Sequence, residues 1–393
     1  MTVIASPAIA QIDDPEVQRL RDANASVRDG SNAKPQAMPR PKAVQSLARS
    51  CEQVKKRLPK LAAKDAPPVP CTSTDPGTKS TAEEPAGGLP EGLPAWCVDA
   101  GDGQWLTTRV NACTWRTESL SWIDVRTGEE VGTMKLTLWY DIVTAWNEGT
   151  FIFGHSVYSY NQQGYYSPTS YFLASPFCSG QCEHVSTTPS AQQTLQINSM
   201  IRWDTRFRNT LPLPGRGPMD LDGELTFVDP NVGEELNLSP EAEFVPTVRC
   251  DDGRLRGYQT TEGCVIRDYW PTLVFKYAEM PTIVDHIRYS QSVGSPGKPG
   301  TTPLQRMYND TDADDNRTEA CGNVAIPNPQ TQNCDEYPMA HTYQGAITCG
   351  CDDWTSRPVL IVDNNAQGIA MATFFRDNRI LDADAFWVDT TIP

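Results

Sequence analysis

The chain has 393 residues, 39% of them hydrophobic, with 32 prolines and 27 glycines. That is length for two or three turn-rich domains, and no apolar run approaches the roughly 20 residues of a membrane-spanning helix. The formal net charge of -16 excludes a simple electrostatic nucleic-acid binder: if such a polymer is bound, cations or a local basic patch must offset the repulsion.

The first ten residues precede a long leader. Thr2-Val-Ile-Ala-Ser-Pro-Ala-Ile-Ala-Gln11 has the character of the last part of a secretory signal peptide, with Ala8-Ile9-Ala10 as cleavage site. The charged start and most of the apolar core are missing, so an ordinary apolar end is the other reading. Twelve cysteines favour export. They fall in local couples, Cys97/Cys113, Cys178/Cys182, Cys250/Cys264 and Cys321/Cys334 among them, which reads as a disulfide framework in an oxidising compartment. Zinc is the competing account. Its only hint is Cys178-Ser-Gly-Gln-Cys182-Glu-His184, which lacks a second half.

Residues 11–90 read as leader and linker. Asp13-Asp14-Pro15 can open a short helix through Ala23, and a second helix is expected from Ala43 to Leu61. Its Lys55, Lys56, Arg57 and Lys60 could touch nucleic acid or cell wall, but a solvated face accounts for them better. From Ala66 to Pro90 the composition is too poor in apolar residues to fold alone, although Cys51 and Cys71 can tie it down.

Residues 91–264 read as an antiparallel, sandwich-like β domain. A hairpin is expected from Trp122–Val125, a turn at Arg126–Glu129 and a strand over Val131–Val143. In that strand Met134, Leu136, Leu138, Tyr140 and Ile142 alternate with Lys135, Thr137, Trp139 and Asp141, the period of a half-buried strand. Phe151–Tyr160, Thr194–Trp203, Glu224–Val228 and Phe244–Arg249 add strands. Trp139, Trp146, Tyr158, Tyr160, Tyr165 and Tyr166 could form a platform for a cell-wall or surface polymer; core and sheet packing is the stronger account. His155 is expected to make a structural hydrogen bond.

Residues 265–393 change character. A strand at Trp270–Tyr277 and a helix at Thr282–Gln291 lead into a long polar stretch, Ser292–Gln332. Within it Asp310, Asp312 and Asp314 mimic a calcium loop but lack the glycine and the final glutamate, so an acidic surface loop is expected. Then come Cys334-Asp335-Glu336-Tyr337-Pro338-Met339-Ala340, a strand at Val359–Val362, Asp363-Asn364-Asn365, a helix from Ala366 to about Asn378 burying Ile369, Met371, Ala372 and Phe375, and a last strand at Ala385–Val388. Adjacent carboxylates repel, and a divalent cation is the commonest reason to hold them together. Asp and Asn at a strand-to-helix junction are hard oxygen donors suited to Mg²⁺, Mn²⁺ or Ca²⁺. Hydrolysis of a phosphodiester needs such a cation and a base to activate water. No phosphate-binding Gly-rich loop, Gly-x-Ser-x-Gly or His-Glu-x-x-His is present, which argues against NTPases, serine hydrolases and zincins.

On Cys334–Ala340, His286-Ile287-Arg288, Asp315-Asn316-Arg317, Asp363-Asn364-Asn365-Ala366-Gln367-Gly368 and Asn378-Arg379-Ile380-Leu381-Asp382, in that family's order, the last third of the chain resembles the NucA/NucB-type secreted deoxyribonucleases. The preceding β-rich region is similar to that of their large actinobacterial members. The resemblance implies a secreted, non-specific, metal-dependent endonuclease acting on DNA, with Mg²⁺ or Mn²⁺ as cofactor and a ββα-metal-like core in an α+β chain. It implies Asp335 as water-activating base, Glu336 and Asn364 at the metal, and His286 and Arg288 on phosphate. Arg317, Asn365 and Arg379 are further candidate substrate contacts. Where the family often has an acid, Tyr343-Gln344-Gly345 has Gln344, an uncharged candidate ligand. The alternative is a secreted binding protein whose nuclease-like domain is inactive because of Gln344; an antibacterial effector is a third reading. Residues 265–393 hold nine Lys/Arg against seventeen Asp/Glu, so DNA contact requires Arg267, Arg288, Arg317, Arg357, Arg376 and Arg379 to gather on one face or the metal to carry the load.

Overall fold

The computed structural model describes residues 19–20, 35–38, 50–61, 66–73, 86–90, 93–100, 103–211, 215–238, 245–253 and 261–391. The expected signal remnant at 1–10, most of the helix expected from Asp13 to Ala23, and Ala43–Arg49 lie outside these residues. The described chain is α+β and β-rich. It divides into two compact units, one holding the described residues up to Asp252 with Glu262–Asp268, the other Gly253, Thr261 and Tyr269–Thr391.

The first unit is built on a long antiparallel sheet. Strands β1 (Asn111–Ile123), β2 (Glu130–Thr144), β3 (Thr150–Gly164) and β4 (Ser199–Asn209) are successive neighbours in it. The β1–β2 turn forms where expected: the Asp124 carboxylate accepts from Arg126 N at 2.8 Å and Gly128 takes φ 74°, a backbone conformation that suits glycine. Val69–Ser73 adds to β1 along its edge. Part of the expected linker is therefore a strand, held by the Cys51–Cys71 disulfide to helix α1 (Cys51–Leu61). Lys55, Lys56 and Arg57 on that helix are exposed, the solvated face expected. Two further four-stranded sheets are found among the described residues of the unit.

The alternation expected in β2 does not hold. Every residue from Leu136 to Thr144 is buried, because both faces of the sheet are covered. Leu93, Cys97 and Ala100 pack over Trp115, Trp139 and Met200, secured by Cys97–Cys113. Asp141 is buried as an ion pair: Arg202 of β4 reaches it at 3.0 Å and Asp204 at 2.8 Å. His155 also departs from expectation. It is fully buried against Tyr140 and Phe153, neither ring nitrogen has a hydrogen-bond partner, and burial pushes its pKa down to about 3. The six aromatic residues of the supposed platform are all buried or half-buried, in keeping with the packing account. The zinc reading also falls: Cys178 and Cys182 form a disulfide, and His184 Nε2 lies 2.9 Å from Thr187 Oγ1. All twelve cysteines are paired, each within its local couple.

Among the described residues the second unit carries three helices: α2 (Pro281–Ser292), α3 (Asp310–Cys321) and α4 (Ile361–Asp377). A small sheet joins β5 (Thr272–Val274), β6 (Leu304–Gln305) and the last strand, β9 (Ala385–Asp389); β9 is central, parallel to β5 and antiparallel to β6. Strands β7 (Gln332–Tyr337) and β8 (Thr355–Leu360) form an antiparallel hairpin that runs directly into α4. Helices and strands meet in one core of Phe275, Ile283, Val284, Ile287, Tyr337, Val359, Phe375, Phe386 and Val388.

Two helical expectations change. The acidic loop is helix α3. Asn309 caps it, its side-chain oxygen accepting from Thr311 N at 3.0 Å, and Asp310 and Asp312 occupy the first turn, where the helix dipole favours negative charge. Only Ala313, Asn316 and Ala320 are buried along it, a helically spaced stripe too small and polar to register as amphipathic. Helix α4 begins at Ile361 rather than Ala366, so Asp363-Asn364-Asn365 is its first turn. Its buried residues are Asp363, Gln367 and Phe375, while Ile369 is 70% exposed: two residues past Gln367 is about 200° around the helix.

Candidate active-site cleft

Strand β7 presents Asp335 and Glu336 in succession, and successive side chains of a strand leave on opposite faces. Asp335 is buried, 3% exposed. Its Oδ2 lies 2.6 Å from Nδ1 of His286 on α2. Glu336 accepts from Ala340 N at 3.3 Å and stands 3.8 Å from Arg317 Nε of α3. Both carboxylates line a cleft of about 690 Å³ between β7 and α4. From α4 come Asn364, Gln367 and Gly368. The Asn364 amide nitrogen donates to Asn333 Oδ1 at 3.0 Å and to Cys334 O at 3.3 Å, which leaves its carbonyl oxygen for the cleft.

His286 is fully buried; it backs Asp335 and cannot touch a phosphate, contrary to the sequence expectation. Ser290 Oγ donates to the His286 carbonyl at 2.9 Å and also contacts Thr355 Oγ1, which lies 2.9 Å from His286 Nε2, so the ring is held from both sides.

Burial is the main influence raising the Asp335 pKa; the His286 bond opposes it, and the nearby Gln367 amide does so more weakly. Glu336 is pushed up to about 7, first by burial and then by the negative charge of Asp335, with Arg317 pulling the other way. A raised carboxylate binds its proton more tightly in the folded state than in the unfolded one. Between the ordinary carboxylate range and about 7, the metal-free fold therefore loses stability as pH rises. A cation held by ionised Glu336 displaces that proton. The thermal stabilisation given by Mg²⁺ or Mn²⁺ is thus expected to be small at pH 5.5 and larger at pH 8; thermal melts with and without metal at the two values check this.

The other expected site residues are dispersed. Arg317 lines the cleft, held by Asp314 at 2.8 Å. Arg288 lies outside it, its Nε donating to Thr390 O at 3.2 Å. Arg379 is 1% exposed with φ 46°, and donates to Thr261 O at 3.0 Å, so it cannot meet a ligand. Asn365 is exposed on α4, outside the cleft lining. Gln344 also lies outside; its Oε1 accepts from Gln305 N at 2.8 Å and fastens the loop to β6. The expected gathering of arginines does not occur in this unit: Arg357 stacks on Tyr289 and Arg376 pairs with Asp377.

Asp363 and Asn316, both within the motifs, are structural. The Asp363 carboxylate accepts from Thr282 N at 2.9 Å and Thr282 Oγ1 at 2.7 Å, binding the start of α4 to the start of α2. Asn316 donates to Ala340 O and accepts from the Ile347 and Thr348 amides, pinning the loop after β7. This also explains Gly345, where a Cβ would come within 2.2 Å of Asn316 Nδ2.

Three cleft residues were not anticipated. Gln367 stood inside a recognised motif without a role. His341 follows the acidic motif directly; burial and Arg317 lower its pKa. Arg306 is 4% exposed and lies 4.3 Å from the centres of both the Tyr308 and Phe375 rings. A lone arginine between Leu304 and Met307-Tyr308 in an otherwise polar stretch was the available signal.

A β-hairpin feeding a helix, with two carboxylates on the hairpin and an amide on the first helical turn, is a site fit for hydrolytic chemistry at an anionic ester. Residues 294–389 match the family model for Deoxyribonuclease NucA/NucB, and the C-terminal region of this chain is a domain of that family. No curated protein and no solved structure matches the chain.

Proposed function

We propose that the protein is a secreted endonuclease that hydrolyses DNA phosphodiester bonds with a divalent cation. The observation that carries this reading is the convergence of Asp335, Glu336 and Asn364 on one cleft, inside the segment that matches a deoxyribonuclease family. Six disulfides support export to an oxidising compartment. No helix among the described residues is long and apolar enough to cross a membrane.

The donors present suit Mg²⁺ or Mn²⁺. Among the described residues no group of three or more His, Cys, Asp or Glu could hold a metal. Glu336 and the Asn364 carbonyl supply two hard oxygens, and Mg²⁺ is typically bound by one or two protein oxygens, keeping its other positions for water and substrate phosphate. Bound there, the cation would stabilise charge on the phosphate and on the leaving oxygen. The chain's own residues do the rest. Asp335 takes the proton of the attacking water, His286 fixes its carboxylate and disperses the proton charge, and Arg317 at the rim meets a phosphate oxygen.

Gln344 does not support the reading of an inactive binding protein, because it stands outside the cleft and leaves the donor set unchanged. Incubation of the full chain with supercoiled plasmid should give nicked and linear products with Mg²⁺ or Mn²⁺ and none with EDTA. Cleavage that persists in EDTA would remove the metal from the reading, and no cleavage with either cation would remove the nuclease.

A further inference from the structure

Helix α4 carries two features that its own fold does not explain, side by side on the cleft. Gln367 is 4% exposed, and its amide nitrogen makes no hydrogen bond of normal geometry; the Asp335 carboxylate beside it is only weakly stabilised by it. A buried donor without a partner is costly in a folded protein and asks for a missing acceptor. Gly368 is the only glycine within the described helices. Glycine inside a helix is destabilising relative to alanine, and here neither packing nor backbone conformation requires it: a Cβ would meet nothing within 4 Å. Both residues line the cleft beside Asp335 and Asn364.

We propose that Gln367 and Gly368 form the seat for the substrate strand, the Gln367 amide donating to a non-bridging phosphate oxygen and the bare Gly368 backbone allowing the sugar-phosphate chain to run against α4. The assignment rests on the nuclease reading above and says where on the cleft the polymer lies. The acceptor that Gln367 lacks is supplied by an anionic ligand, and the space at Gly368 is filled by it. Each residue is then suboptimal for the free protein and optimal for the complex.

The test uses that opposition of sign. In the full chain, Gly368→Ala should raise the thermal midpoint by about 2–4 °C. Gln367→Met, which removes the orphan amide at similar volume, should leave the midpoint unchanged or raised. Both should weaken binding of a fluorescein-labelled DNA duplex, read by anisotropy with Ca²⁺ present, and raise KM for plasmid cleavage by roughly fivefold or more; in Gly368→Ala, which leaves Asp335 untouched, kcat should be little changed. Gly368→Phe should abolish binding. An active wild type whose Phe variant binds DNA normally overturns the seat and leaves the nuclease reading standing. A fall in midpoint for Gly368→Ala also overturns it, because the glycine would then serve the fold. An inactive wild type overturns both.

Discussion

Asp335→Asn is expected to lower the rate of plasmid cleavage by about 10²–10⁴-fold, the usual contribution of a positioned general base. Asparagine keeps the shape of the carboxylate and an oxygen that can accept from His286 Nδ1, so the buried contact at 2.6 Å survives in weakened form. What is lost is the ability to take a proton from water. Circular dichroism and the thermal midpoint should show a folded protein, which separates chemistry from collapse of the site. A variant cleaving within a fewfold of wild type would exclude Asp335 as the base and move attention to Glu336 and His341.

His286→Leu should act on both stability and activity, and in a way a purely structural histidine would not. Removing one partner of a buried hydrogen bond costs about 1–3 kcal/mol, the desolvation penalty of the group left unpaired. The His286 bond is also the main influence holding the Asp335 pKa down against burial. Without it the carboxyl rises further, so a smaller fraction of it is ionised and able to act as a base at any given pH. Cleavage at pH 7 should fall by two or more orders of magnitude, with partial recovery as pH rises and Asp335 ionises. His286→Gln, which retains a donor, should recover part of the stability and shift the profile less. A pH profile identical to wild type in His286→Leu would show that the histidine only fills space.

The hairpin, the following helix and the acidic motif were legible because each has a local signature: alternation, a strand-to-helix junction and adjacent oxygen donors. The disulfide couples were legible for the same reason, being close in sequence. What was not legible depends on direction. Asp335 and Glu336 look like one acidic pair, yet the strand sends one back to His286 on α2 and the other toward Arg317 on α3. His286 sits on the inner side of α2 and Arg379 is buried by a left-handed backbone turn. Sequence identity carries no information about which way a side chain faces across a core. Helix α3 escaped because its buried stripe is two alanines and an asparagine. Ile369 was misplaced because hydrophobicity alone was used to phase α4, whereas the buried positions of that helix include an aspartate and a glutamine with work to do inside.

The order of strands in the second unit has a temporal consequence. Its three-stranded sheet has β9, residues Ala385–Asp389, in the middle, and Phe386 and Val388 of that strand stand in the same core as Tyr337 of β7 and Phe375 of α4. The hairpin and α4 can form from local contacts and are fastened to α2 through Asp363 and Thr282, but the core they share is completed only when β9 joins it. A nascent polypeptide therefore carries all the acidic residues of the cleft without a cleft. Competence is acquired only once β9 has taken its place in the core.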